Sequence, residues 1–155
     1  MKCKKTPSFG SVSHGTLRSE DLIPDFAYEL RRYARKGSGH KKLAQDAERA
    51  LARSQKAPGS ADLEDELPEY VNDLIDALTE YAPAYGYFGS HPGDGSDFGF
   101  WLSESWEDDF DGLRVSDTSE VPRSYRGEVL HVNDHGNATL YLASWGKLTE
   151  IWSVV

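Results

Sequence analysis

The side chains best equipped for chemistry in this chain are histidines and aspartates set among turn formers. His91, Asp94 and Asp97 lie within residues 85–101, seventeen positions that hold six aromatics and five glycines. His131, Asp134 and His135 lie in or beside a second polar turn, and His14 sits in a glycine-containing segment near the start. Imidazoles and carboxylates that converge on one point can hold a divalent cation or exchange protons. If the two turns meet at one sheet edge, His91, Asp94 and His135 are the candidate metal ligands, and the full set of seven is a candidate binding site. Spacing alone specifies no metal motif. There is no His-Glu-x-x-His, and the pattern from Asp94 through Ser96 and Gly99 reaches Ser105 where a calcium loop needs Glu. His and Asp also shape turns by bonding nearby backbone amides, so each residue has an architectural alternative.

Other catalytic arrangements are excluded or lack parts. Ser90 precedes His91, but neighbours along a strand point to opposite faces and do not form a nucleophile–base pair by default. No Gly-x-Ser-x-Gly elbow occurs. Asp97-Phe98-Gly99 matches the letters of a kinase metal motif without the catalytic and glycine-rich loops that give it meaning. Gly93-Asp94-Gly95 lacks the Lys-Ser/Thr pair and helix start of a phosphate loop. Cys3 is the only cysteine, which rules out an internal disulfide and a multi-thiolate zinc site. No catalytic residue is assigned, and no cofactor is expected.

The elements that must position these turns follow from the periodicity. Residues 1–18 read as an arm or a short strand through Phe9–Val12. Leu22, Phe26, Leu30 and Tyr33 recur at helical spacing behind Ser19, the expected cap, and Gly37-Ser38-Gly39 stops that helix. A second, basic helix is expected over about 40–54 and a third over about 61–81, the latter starting nearer Pro68 if that proline breaks its first turns. Leu67, Val71, Leu74, Ile75 and Leu78 form its apolar face, and acidic residues fill the remainder. Beyond Pro83 the period changes from 3.6 to 2. Strands are expected at 85–88 and 98–102 around a loop at 89–97, at 113–115, and at 128–132 and 138–142 about Asn133-Asp134-His135-Gly136-Asn137. A last strand follows the turn Ser144-Trp145-Gly146-Lys147. The fold class is α+β: about three N-terminal helices packed on one face of a C-terminal antiparallel meander of five to six strands. The expected organisation is a single domain over 1–155, with 1–18 as arm or strand, 19–82 helical and 83–155 β.

Charge is divided unevenly. Residues 1–57 carry 13 Lys/Arg against 6 Asp/Glu, a net +7, while residues 58–155 carry 4 against 20, a net −16. Glu104, Glu107, Asp108, Asp109 and Asp111 gather around Trp106 and Phe110 as an acidic interaction surface. With the acidic third helix they could imitate a polyphosphate and compete for basic channels in nucleic-acid-handling proteins, or they form an ordinary solvated loop. Direct nucleic-acid binding by Arg31, Arg32, Arg35, Lys36, Lys41 and Lys42 must overcome repulsion from the acidic half, so nucleic acid is not the expected partner. No stretch approaches the roughly 20 apolar residues of a membrane helix, and no apolar stretch follows the basic start. A cytoplasmic protein is expected.

Four stretches resemble a family of small uncharacterised proteins encoded by bacteriophages, plasmids and other bacterial mobile elements. They are 13–24, 87–101 (Tyr-Phe-Gly-Ser-His-Pro-Gly-Asp-Gly-Ser-Asp-Phe-Gly-Phe-Trp), 129–141 (Val-Leu-His-Val-Asn-Asp-His-Gly-Asn-Ala-Thr-Leu-Tyr) and 150–155. The resemblance implies a bacterial cytoplasm during infection or plasmid carriage, and it transfers no catalytic residue. The expected function is a non-enzymatic accessory protein that binds and modulates a host or phage protein, as a counter-defence factor or nucleic-acid mimic. The alternative is a small metal-dependent enzyme or ligand binder that uses the His/Asp turns.

Overall fold

The computed structural model describes residues 5–155; Cys3 lies outside them. The chain divides into two compact units, Met1–Ser103 and Glu104–Val155. The first holds helices α1 (Ser19–Tyr33), α2 (Gly39–Lys56) and α3 (Ala61–Thr79) and strands β1 (Gly10–Ser13), β2 (Gly86–His91) and β3 (Asp94–Leu102). Ser19 is the first helical residue of α1 and not its cap. The chain before it supplies the cap's bonds, because the Thr16 hydroxyl donates to the Asp21 carboxylate at 2.8 Å and accepts from the Arg18 amide at 3.1 Å. Ser38 does cap α2, accepting from the Lys41 amide. Helix α3 takes the earlier of its two expected starts and runs through Pro68. The ring removes one backbone bond there but lies exposed, where water can serve the orphaned carbonyl.

The strands of this unit form an antiparallel sheet in the order β1-β3-β2. The loop expected at 89–97 shrinks to Pro92-Gly93, since β2 and β3 extend to His91 and Asp94. Phe88, Phe98 and Phe100 bury themselves with Leu22, Ile23, Phe26 and Leu30 of α1 and with Leu74 and Leu78 of α3. Phe26 meets Phe88 and Phe98 edge-on at 5.0 and 5.4 Å, the arrangement the ring quadrupole favours. Gly99 lets β1 lie close to β3, because a Cβ there would stand 2.1 Å from the Gly10 carbonyl oxygen. A clasp of Arg31 on Glu48 ties α1 to α2 through both guanidinium nitrogens.

The second unit opens with a single turn, α4 (Trp106–Asp109). Its sheet follows in the order β4 (Leu113–Val115), β5 (Gly127–Val132), β6 (Ala138–Ser144) and β7 (Lys147–Val154). Val115, Val129 and Ala143 are buried with Leu113, Val121, Tyr125, Tyr141 and Leu148 against them. Strand β7 carries a bulge: Leu140 faces Trp152 while Tyr141 faces Glu150, so Ile151 has no opposite number.

The α+β class holds, but the single meander does not. The described residues form two sheets of three and four strands, and β4 runs parallel to β5. Alternation along the chain reveals strands without revealing partners. Strand β1 takes the edge of β3 from nearly ninety residues away, and residues 116–126, with a 3₁₀ turn at Thr118–Glu120, form the crossover a parallel pair requires.

Candidate functional site

The hairpin tip of the first unit brings three of the singled-out residues near one another. The Gly15 amide bonds the Ser96 carbonyl and lays the His14 segment beside the tip. His91 and Asp94 face each other across the turn. One atom of each of His91, Asp94 and Asp97 is engaged within the hairpin or with β1. His91 Nδ1 accepts from the Gly93 amide at 2.9 Å, and its ring stands edge-on to Trp101 at 4.7 Å. Asp94 Oδ1 accepts from both the amide and the hydroxyl of Ser96, and these two bonds hold its carboxyl below the usual range, helped by His91 and His14. Asp97 lies further along β3, where it accepts from the Ser11 hydroxyl at 2.5 Å and pins β1. The architectural alternative describes each of these contacts.

The second turn belongs to the second unit. Asn133 organises it, its Oδ1 accepting from the amides of His135 and Asn137. Asp134 and His135 are exposed on the turn, and His131 bonds the Ser116 carbonyl through Nε2 at 3.0 Å. Among the described residues no group of three or more His, Cys, Asp or Glu side chains is placed to hold a metal ion.

Each unit carries exposed carboxylates of its own. Glu104, Glu107, Asp108, Asp109 and Asp111 are all exposed on and around α4. Asp109 accepts from the Ser105 hydroxyl, and Arg114 donates to the Glu107 carbonyl while lying over Phe110. On α3 the exposed carboxylates Asp62, Asp65, Glu69, Asp73 and Asp76 follow one another at intervals of three or four residues, and Glu80 at the C-cap continues them. At 3.6 residues per turn this row stays within an arc of about 80° and runs about 27 Å. No Lys or Arg interrupts it, and none occurs anywhere in residues 57–113.

Two features escaped the sequence reading. Glu29 is the only carboxylate buried among the described residues. It accepts from Arg32 and from the Tyr33 hydroxyl at the floor of a groove of about 500 Å³ between β1 and α1. Burial, with the Glu29 bond, pushes the Tyr33 hydroxyl up to about 12. The signal for Glu29 was its spacing, three residues after Phe26 and seven after Leu22, which sets a carboxylate on the apolar face of α1. The other feature is the β6–β7 turn. Trp145 (φ +53°) and Gly146 (φ +77°) join the strands in two residues, a geometry that favours Asn-Gly and costs a bulky residue about 1–2 kcal/mol. Trp145 is nevertheless 78% exposed, and the Arg126 guanidinium stacks 3.6 Å over its ring. Arg123 lies against Gly146, and Lys147 follows it. Three of the four cations beyond residue 57 thus share one corner of the second unit.

On the basic helices Arg31, Arg32 and Lys42 are paired with Glu48, Glu29 and Asp46, while Arg35, Lys36 and Lys41, like Arg123, Arg126 and Lys147, enter none of the described ion pairs. Among the described residues no helix is long and apolar enough to cross a membrane. Compared with protein families, curated proteins and solved structures, the chain finds no match.

Proposed function

We propose that this chain is a non-enzymatic accessory protein that binds a basic surface of another protein and modulates it. The observation that carries this reading is the carboxylate row of α3. Its five adjacent like-charged pairs disfavour the helix by about 1–2.5 kcal/mol in total, taking about 0.2–0.5 kcal/mol for each. Apart from Glu80, whose carboxylate lies 3.6 Å from His40 Nε2, none of the row enters an ion pair among the described residues, and α3 is held by its opposite face, Leu67, Val71, Leu74, Ala77 and Leu78. A linear array of negative charge on a rigid rod resembles one strand of a nucleic-acid backbone, so proteins with phosphate-binding channels are the fitting partners. The resemblance to mobile-element proteins suggests a host or phage nucleic-acid-handling protein in a bacterial cytoplasm. The metal-dependent alternative has less support, since His91 Nδ1 and Asp94 Oδ1 are given to the turn's own donors and no group of three or more ligand-type side chains converges among the described residues.

The test is a purified complex. A basic protein captured from bacterial lysate at low salt should bind with an affinity that falls steeply as salt rises. Asp65→Asn/Glu69→Gln/Asp73→Asn should weaken that binding at least tenfold while raising the melting temperature, because repulsion along the helix is relieved. An affinity unchanged in this variant would end the proposal.

A further inference from the structure

We infer that the β6–β7 turn is a binding site for single-stranded nucleic acid, with a base stacked on Trp145 and the flanking phosphates held by Arg123, Arg126 and Lys147. Each of the three cations is exposed and outside every ion pair of the described residues, in a half of the chain that holds 20 carboxylates. Charge left unneutralised among so many opposite charges is positioned for an anion from outside. The aromatic ring gives that anion its class. Arg126 covers one face of the indole at 3.6 Å, and with the residue 78% exposed the opposite face is open. A planar base fits an open π-face whatever its identity, and the same strand carries the phosphates. A duplex hides its base faces, and an acidic peptide offers charge without a ring.

The placement is local. A recess of about 80 Å³ lined by Arg123, Tyr125, Gly146, Lys147 and Leu148 adjoins the turn, which fixes Arg123 and Lys147 in one patch. At physiological salt the Debye length is about 8 Å, so carboxylates farther off repel a strand weakly. This site is independent of the carboxylate row, and the two can be tested apart.

Fluorescein-labelled oligo(dT), titrated with the full chain and followed by anisotropy, tests the inference. Saturable binding is expected, with a slope of log K against log salt near −2 for three phosphate contacts on a single strand. Trp145→Asn should lose at least tenfold in affinity while folding at least as well, since Asn-Gly suits the turn. Arg123→Gln/Arg126→Gln should weaken binding and flatten the slope. The same oligonucleotide as a duplex should bind more weakly. Three results would overturn the assignment: no saturation at low salt, an affinity unchanged in Trp145→Asn, or poly-glutamate competing as well as oligo(dT), which would mark the turn as an acidic-peptide site.

Discussion

Two β-hairpins in this molecule carry nearly opposite lessons. The β2–β3 hairpin is rich in His, Asp and aromatic residues, and its contacts serve its own shape: His91 holds the Gly93 amide, Asp94 holds Ser96, and Asp97 holds Ser11. The β6–β7 hairpin looks plain, yet at the cost of a left-handed tryptophan it places an indole in solvent beside its own Lys147 and the Arg123 and Arg126 of the preceding crossover. Chemically capable residue types can thus be spent on shape, and side chains that the fold does not employ, above all beside a strained residue, merit a test as well.

The contrast can be broken at its glycines. Gly99→Ala would drive a Cβ into the β1 backbone, where neither strand can yield, and should destabilise the first unit by about 3 kcal/mol in denaturant unfolding. Gly146→Ala meets only the flexible Arg123 side chain and should lose about 1 kcal/mol, the penalty of its left-handed backbone. Equal losses would mean that the two hairpins are not built on different principles.

A smaller effect sharpens the comparison. Trp145→Asn should raise stability by about 0.5 kcal/mol in the same assay, the relief of about 1–2 kcal/mol of strain outweighing a surface cation–π contact of about 0.5–1 kcal/mol. A loss of stability would show that the indole serves the fold after all.

The smallest effect is electrostatic. Asp94 has a lowered pKa in the folded chain because the Ser96 amide and hydroxyl bond its carboxylate. Its contribution to stability is thus present above the ordinary aspartate value of about 3.9 and is lost as the pH falls through the lowered one. Asp94→Asn keeps an acceptor without the charge, so the acid limb of melting temperature against pH should become shallower. An unaltered limb would place the charge's role elsewhere.

The helices were legible because their cores are local. Leu22, Phe26 and Leu30 return to one face within a few turns, and Ser38 and Gly37 mark the break between α1 and α2. The strands were legible too, and the turns at 133–137 and 145–146 fall where glycine and asparagine put them. Pairing was not, since β1 and β3 lie far apart in sequence and β4 joins β5 in parallel through a crossover. The same limit applies to the sites. The carboxylate row was visible as acidity but not as a line until α3 was continuous through Pro68. Arg126 stacks on Trp145 and Arg123 lies against Gly146 because the register of β5 with β6 sets Gly127 opposite Ala143, a proximity that appears only once those strands are paired.

Strand β7 closes the four-stranded sheet, and its outer edge could in principle template further strands from other molecules. The surplus residue at Ile151 breaks the regular run of donors and acceptors along that rim, and Lys147 and Glu150 set opposite charges on the same strand. An incoming segment would have to reproduce the irregularity to stay in step. Fibre growth from this side is thereby discouraged at the level of main-chain geometry, whatever the concentration at which the protein accumulates.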